Sequence, residues 1–186
     1  MSKGYDINQH LTRAGRRALV RFMFRYLTDE VVAVHQNLRH FGAFLFTDHR
    51  DYLAGMERFF EDQGVPEFVP LPVWNPARPI PQELDRVRRT DSGAPRSPEW
   101  ANRLQNRRPD LPLPRAFTPS RICGFRDATT LGNALGNNWH NRVHNVVGGA
   151  MATMEHAPAA PVFWCFHAFI DGIYRDWLDC RGTESD

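Results

Sequence analysis

Eight histidines punctuate the chain: His10, His35, His40, His49, His140, His144, His156 and His167. His140 and His144 are four residues apart, so on a helix both rings leave from one face. His49 shares a helical face with Leu53, Met56 and Phe60, and His167 shares one with Phe163, Ile170, Tyr174 and Trp177. His35 and His40 stand just upstream of the His49 helix. A neutral imidazole on a core face is costly unless it finds a partner. A backbone carbonyl or a carboxylate would serve any one of them. Six arranged as two clusters are explained together by metal. Imidazoles without a nearby acid or thiolate suit copper or zinc. A structural zinc site holds four ligands, so six histidines imply two ions with three each. Between them lies an open position for a small exogenous ligand, and paired coppers with such an opening could bind dioxygen.

Helices must position these rings. Leu19, Phe22, Met23 and Tyr26 predict a helix from about Leu11 to Leu27. Thr28 offers a cap, with Asp29 and Glu30 in the following first turn. The second helix carries Val31, His35 and Leu38. The third is expected to start after Thr47 and end near Gly64. From 66 to 120 the chain turns rich in proline and arginine, which predicts a long irregular connection with a short helix near Glu83 to Arg89. Trp139 to Val147 reads as helical and stops at Gly148-Gly149. Pro161 suits the first position of a last helix running to about Cys180. The expected fold is an all-α, four-helix bundle in a single domain spanning 1–186.

Composition narrows the functional classes. Among 186 residues, 42% are hydrophobic, enough for a packed core. The net charge of +2 gives no electrostatic case for nucleic acid. Lys3 is the one lysine, a bias of coding rather than of recognition. No apolar run approaches the roughly 20 residues that span a bilayer, and the first residues show no apolar signal core, so the expected compartment is the cytoplasm. Cys123, Cys165 and Cys180 form no CxxC pair, and reduced thiols are expected.

The stretch from Trp139 to Thr153, with its HNRVHNVVGGAM core, resembles the copper-B segment of the tyrosinases, a family of type 3 copper proteins. Pro161 to Asp171, PVFWCFHAFID, is similar to that segment's second half. The resemblance implies that His140, His144 and His167 hold copper B. Phe166 stands where the family usually has a further histidine. Phe163 matches an aromatic residue packed near that copper, and Asp171 matches a carboxylate that supports the ligands. Residues 40–50, from His40 through Phe44-Leu45-Phe46 to His49-Arg50, resemble the family's H-x-x-x-x-F-L-x-x-H-R. Leu71-Pro72-Val73-Trp74 echoes the following LPYW, although Asn75-Pro76 replaces the usual Asp-Trp and Ala160 replaces an acid. By this likeness His40 and His49 are copper-A ligands. His35 is the first of that trio, across a gap shorter than the family's, with His10 as the alternative. His156 has no motif partner and is expected in a loop.

The resemblance implies two copper ions, dioxygen as co-substrate, and oxidation of phenols or catechols to ortho-quinones. Asn141 follows the first copper-B histidine, where phenol-hydroxylating relatives often carry an asparagine that helps hold a proton-accepting water. No acid lies between Asp127 and Glu155 to hold the same water. Arg142 and Asn145 flank the ligand helix and could meet a substrate carboxylate, although a solvated face is the simpler reading. An ortho-aminophenol oxidase, a non-catalytic dioxygen carrier and a degenerate metal module are the alternatives. The implied partners are a small phenolic substrate and, as in some bacterial relatives, a helper protein for copper delivery and export; nucleic acid and membrane are not expected.

Overall fold

The computed structural model describes residues 4–182; Lys3 lies outside them. Seven α-helices follow in chain order. Helix α1 spans Ile7–His10, α2 Arg13–Tyr26, α3 Asp29–Val34 and α4 Phe44–Asp62. Helix α5 spans Ala128–Leu135, α6 Asn141–Val147 and α7 Pro161–Arg181. The described residues form no strand, only an isolated bridge between Asp6 and Val73. The fold is all-α. No described helix is long and apolar enough to cross a membrane.

Local chemistry sets the helix ends. The Thr12 hydroxyl accepts from the Gly15 N–H at 3.1 Å and caps α2, and Thr28 does the same for α3 through Val31 N at 3.1 Å. Helix α4 begins at Phe44 rather than after Thr47, so His49 lies well inside it. A helix not foreseen, α5, starts on the Asp127 carboxylate, which accepts from Thr130 N at 2.7 Å. A π-helical turn, Gly136–His140, joins α5 to α6, where an uninterrupted helix from Trp139 was expected. Pro161 opens α7, as its lack of an N–H favours.

Helices α4 and α7 run antiparallel and form the spine of the core. Phe46 stacks on Tyr174 at 4.5 Å, His49 on His167 at 4.3 Å, and Tyr52 packs against Trp164 at 4.5 Å. Between the first two contacts, Arg50 Nε donates to Asp171 at 2.8 Å. Leu19 and Met23 of α2, Leu131 and Leu135 of α5, and Val143 and Val147 of α6 join the same continuous apolar cluster.

Residues 66–120 are irregular but tied down. Their backbone reaches back to the helices: Trp74 N donates to Cys165 O at 3.0 Å, Arg88 N to Ala159 O at 2.8 Å, and Asn106 N to Val147 O at 2.9 Å. Phe68, Leu71, Trp74, Ile80, Leu84 and Leu104 are buried in the core cluster. In place of the short helix near Glu83 to Arg89 there is one 3-10 turn, Gln82–Leu84. Gly149 accommodates the close approach of this segment. It adopts φ of +60°, and a Cβ there would stand 2.1 Å from Arg103 O.

One expectation is corrected outright. Cys123 and Cys180 are disulfide-bonded across 57 residues, which joins the segment before α5 to the end of α7; Cys165 alone is a free, buried thiol. A bridge this distant leaves no spacing signature for sequence reasoning to read.

Candidate metal centre

Helix α7 brings His167 to the centre of the molecule, and α4 brings His49 against it. The two rings stack at 4.3 Å with 5° between their planes. His35 sits at the end of α3, in the 3-10 turn His35–Asn37. His40 comes from the loop before α4, His140 from the end of the π-helical turn, and His144 from α6. The ligand nitrogens of His35, His40 and His49 lie within 4.8 Å of one another, and so do those of His140, His144 and His167. The triads face each other: His35 and His167 are 6.2 Å apart by ring centroids, and His40 and His140 are 6.4 Å apart.

Hydrogen bonding decides which nitrogen each ring offers. His35 Nδ1 donates to Met154 O at 2.7 Å, and His40 Nδ1 to Leu38 O at 2.9 Å. His144 Nδ1 donates to Met151 O at 2.8 Å. His140 Nδ1 meets Asn141 Oδ1 at 2.9 Å. A ring that donates from Nδ1 presents a bare lone pair at Nε2. Yet His35 Nε2 and His40 Nε2 stand 3.0 Å apart, and His144 Nε2 and His167 Nε2 stand 3.3 Å apart. His140 Nε2 is buried with no hydrogen-bond partner, as are His49 Nδ1 and His167 Nδ1.

Protonation does not relieve this crowding. Burial pushes His35 and His140 down to about 3, with neighbouring histidines adding to the effect. Burial likewise holds His49, His144 and His167 well below the usual imidazole range, and it lowers His40. Neutral rings that aim lone pairs at one another suit a cation between them. Two nitrogens sharing a tetrahedral ion at ~2.0 Å stand about 3.3 Å apart, which matches the spacing within the triads. The donor set is imidazole alone, and it fits copper. His35 therefore reaches the first triad despite its short gap to His40.

The loop at residues 149–154 clamps both halves, because its Met151 and Met154 carbonyls hold one ring of each triad. Sequence reasoning missed this, since a main-chain carbonyl has no residue-type signature. Phe163 touches both triads, at 4.2 Å from His167 and 4.8 Å from His35. Phe166 stacks on His140 at 5.8 Å.

One residue, Asp171, differs in place from its expected role. Asp171 binds arginines rather than a ring nitrogen: it accepts from Arg50 Nε at 2.8 Å and pairs with Arg175 at 2.6 Å, tying α4 to α7. Asn141 orients His140 through its Oδ1 and also lines the adjoining cleft. His156 lies in a loop, as expected, and is buried there with its ring edge-on to Trp100 at 5.6 Å. His10 is exposed, bonds Asp6 O at 3.1 Å and belongs to neither triad.

A cleft of about 310 Å³ opens over the triads, with His35, His40, His140 and His144 at its floor. Asn141, Asn145, Met151, Ala152, Thr153 and Met154 line the rest. No acid lines it, and neither Leu131 nor Gly132 of α5 is among its lining residues. Leu131 is fully buried, and a Cβ on Gly132 would stand 1.9 Å from Gly42 O.

Comparison with known proteins adds a second line of observation. Residues 81–179, more than half the chain, match the common central domain of tyrosinase. A 54-residue stretch is 55% identical to a tyrosinase of Streptomyces antibioticus, covering 29% of this chain and 19% of that protein. The corresponding identity is 52% over 54 residues for a tyrosinase of Streptomyces glaucescens, with the same 29% and 19% coverage. Tyrosinase of Bos taurus is 34% identical over 56 residues, 30% of this chain and 11% of that protein. The matched stretch thus spans about a fifth of the bacterial relatives.

Proposed function

The chain belongs to the tyrosinase family, and on that premise we propose that it is a type 3 copper oxidase that uses dioxygen to convert phenols or catechols to ortho-quinones. The observation that carries this reading is the pair of Nε2 atoms on His35 and His40, each left as an acceptor by a carbonyl at Nδ1, 3.0 Å apart in the core. His35, His40 and His49 would hold one copper, and His140, His144 and His167 the other. Copper held there would supply the redox chemistry with dioxygen that oxidation of the phenolic ring needs.

The chain's own residues supply the rest. The Met151, Met154 and Leu38 carbonyls keep three rings in the tautomer that offers Nε2. Phe163 and Phe166 pack the space beside the rings and exclude water. Substrate enters by the cleft over the triads. Asn141 holds His140 through Oδ1, which leaves its amide N–H groups to hold the water that takes the phenol proton. The Cys123–Cys180 bond favours an oxidising compartment over the cytoplasm as the working place.

Copper-loaded protein is expected to turn 4-methylcatechol into its quinone, read by absorbance, while copper-free protein does not. An ortho-aminophenol in the same assay separates the two substrate classes. Dioxygen binding without turnover would make the chain a carrier. Fewer than two bound ions would make it a degenerate module.

A further inference from the structure

The cleft over the triads has a chemical character of its own. Its floor is histidine, and its walls come from Asn141, Asn145, Met151, Ala152, Thr153 and Met154, of which Met151 is fully buried and Met154 is exposed. Thr153 Oγ1 is buried without a hydrogen-bond partner. Among the described residues the exposed large apolar side chains are Val34, Phe41 and Met154, at 42%, 61% and 46% exposure. Met154 lines the cleft and its carbonyl accepts from His35, whereas Val34 and Phe41 are chain neighbours of His35 and His40 outside its lining. Apolar surface on a cleft wall gains when an apolar group of a ligand covers it.

No aspartate, glutamate, lysine or arginine lines this cleft. Arg39 pairs with Asp48 at 2.9 Å and lies over the Phe44 ring at 3.2 Å. Glu155 is turned to His156, 3.8 Å from its Nε2. Arg142 is exposed about 60° round α6 from Asn145 and is not among the residues that line the cleft. The walls therefore offer neutral hydrogen-bonding groups and apolar surface.

We propose that the site selects phenols and catechols whose para substituent is uncharged and apolar, and discriminates against those bearing a carboxylate or an ammonium group. This rests on the oxidase reading above. The ring must enter hydroxyl-first to reach the histidine floor, so its para substituent points out along the walls. An alkyl chain there covers the exposed Met154 side chain. A charge in the same place loses water and meets no opposite charge in return.

The test compares three catechols with the same two-carbon tether, ending in methyl, carboxylate or ammonium: 4-propylcatechol, 3-(3,4-dihydroxyphenyl)propanoate and dopamine. Their ring electronics are close, so kcat/KM on the copper-loaded protein reads recognition of the substituent. The expected result is kcat/KM for 4-propylcatechol at least tenfold above either charged compound. A ratio below tenfold, or a preference for the acid or the amine, overturns the inference and leaves the oxidase reading intact. Turnover of none of the three removes the oxidase reading and the inference with it. Met154→Arg sharpens the test, because it places a cation on the wall. It should raise kcat/KM for the propanoate at least fivefold relative to 4-propylcatechol, and an unchanged ratio contradicts the assignment of Met154 to the substituent.

Discussion

The two halves of the metal centre are built differently. The B half rests on helical scaffolding: His144 lies in α6, His167 in α7, and His140 closes the π-helical turn that leads into α6. Its histidines are between 1% and 9% exposed. The A half is more loosely made. Only His49 lies within a long helix, His35 ends a short one, and His40 is half-buried in a loop. His40 is steadied by a carbonyl two residues away, and His35 by one 119 residues away on the loop that also holds His144. Half the A triad's order is thus borrowed from the B side. A ligand set on rigid elements keeps its geometry without metal, whereas one on a loop depends more on the ion itself.

Removing ligands breaks the comparison most sharply. His144→Ala is expected to eliminate one copper and to lower catechol oxidation by about 10³-fold or more, read by metal analysis and initial rates. His40→Ala should lose the other ion and leave the B copper in place. In the wild-type chain a chelator should strip the A copper at least tenfold faster than the B copper, with stopped-flow absorbance as the readout. Equal rates would contradict the asymmetry.

Acid comes next. The unfolded chain takes up protons on its histidines below about 6.5, whereas His35 and His140 stay neutral in the fold down to about 3. Folded-state values are depressed, so the metal-free protein keeps its full stability above 6.5 and loses it as pH falls from there toward 3. At pH 5 the loss is about 2 kcal/mol for each such histidine. Thermal melts of the metal-free chain at pH 7.5 and pH 5 check this, and an unchanged midpoint would refute it.

A smaller effect tests how the B half is oriented. Asn141→Ala removes the acceptor that holds His140, and the expected cost is about 10–100-fold in B-site copper affinity or activity. A loss confined to phenol hydroxylation, with catechol oxidation and copper affinity unchanged, would assign Asn141 to proton handling alone. Smallest of all, His10→Ala should change neither copper content nor melting point, because His10 is exposed and outside both triads. His156→Ala should lower the melting point through lost packing on Trp100 while leaving two coppers bound.

The same asymmetry governed what could be read from the chain. Rings four residues apart on a helix, or in line with core leucines and phenylalanines, announce their direction by periodicity, so His49, His140, His144 and His167 were legible. His40 sits in a loop, where periodicity carries no information about direction. Residue types were silent about the Met151 and Met154 carbonyls, which act through the backbone. Helix α5 was obscured by Gly132, which reads as a helix breaker but lets the Gly42 backbone come close. The Cys123–Cys180 bond depends on a chain crossing that no local pattern encodes.

The central claim is that two facing histidine triads each hold one copper. Native mass spectrometry of the copper-loaded chain tests it most directly. Two ions are expected on the wild-type chain, and one on His144→Ala. A single ion on the wild type, or two retained by the variant, would contradict it.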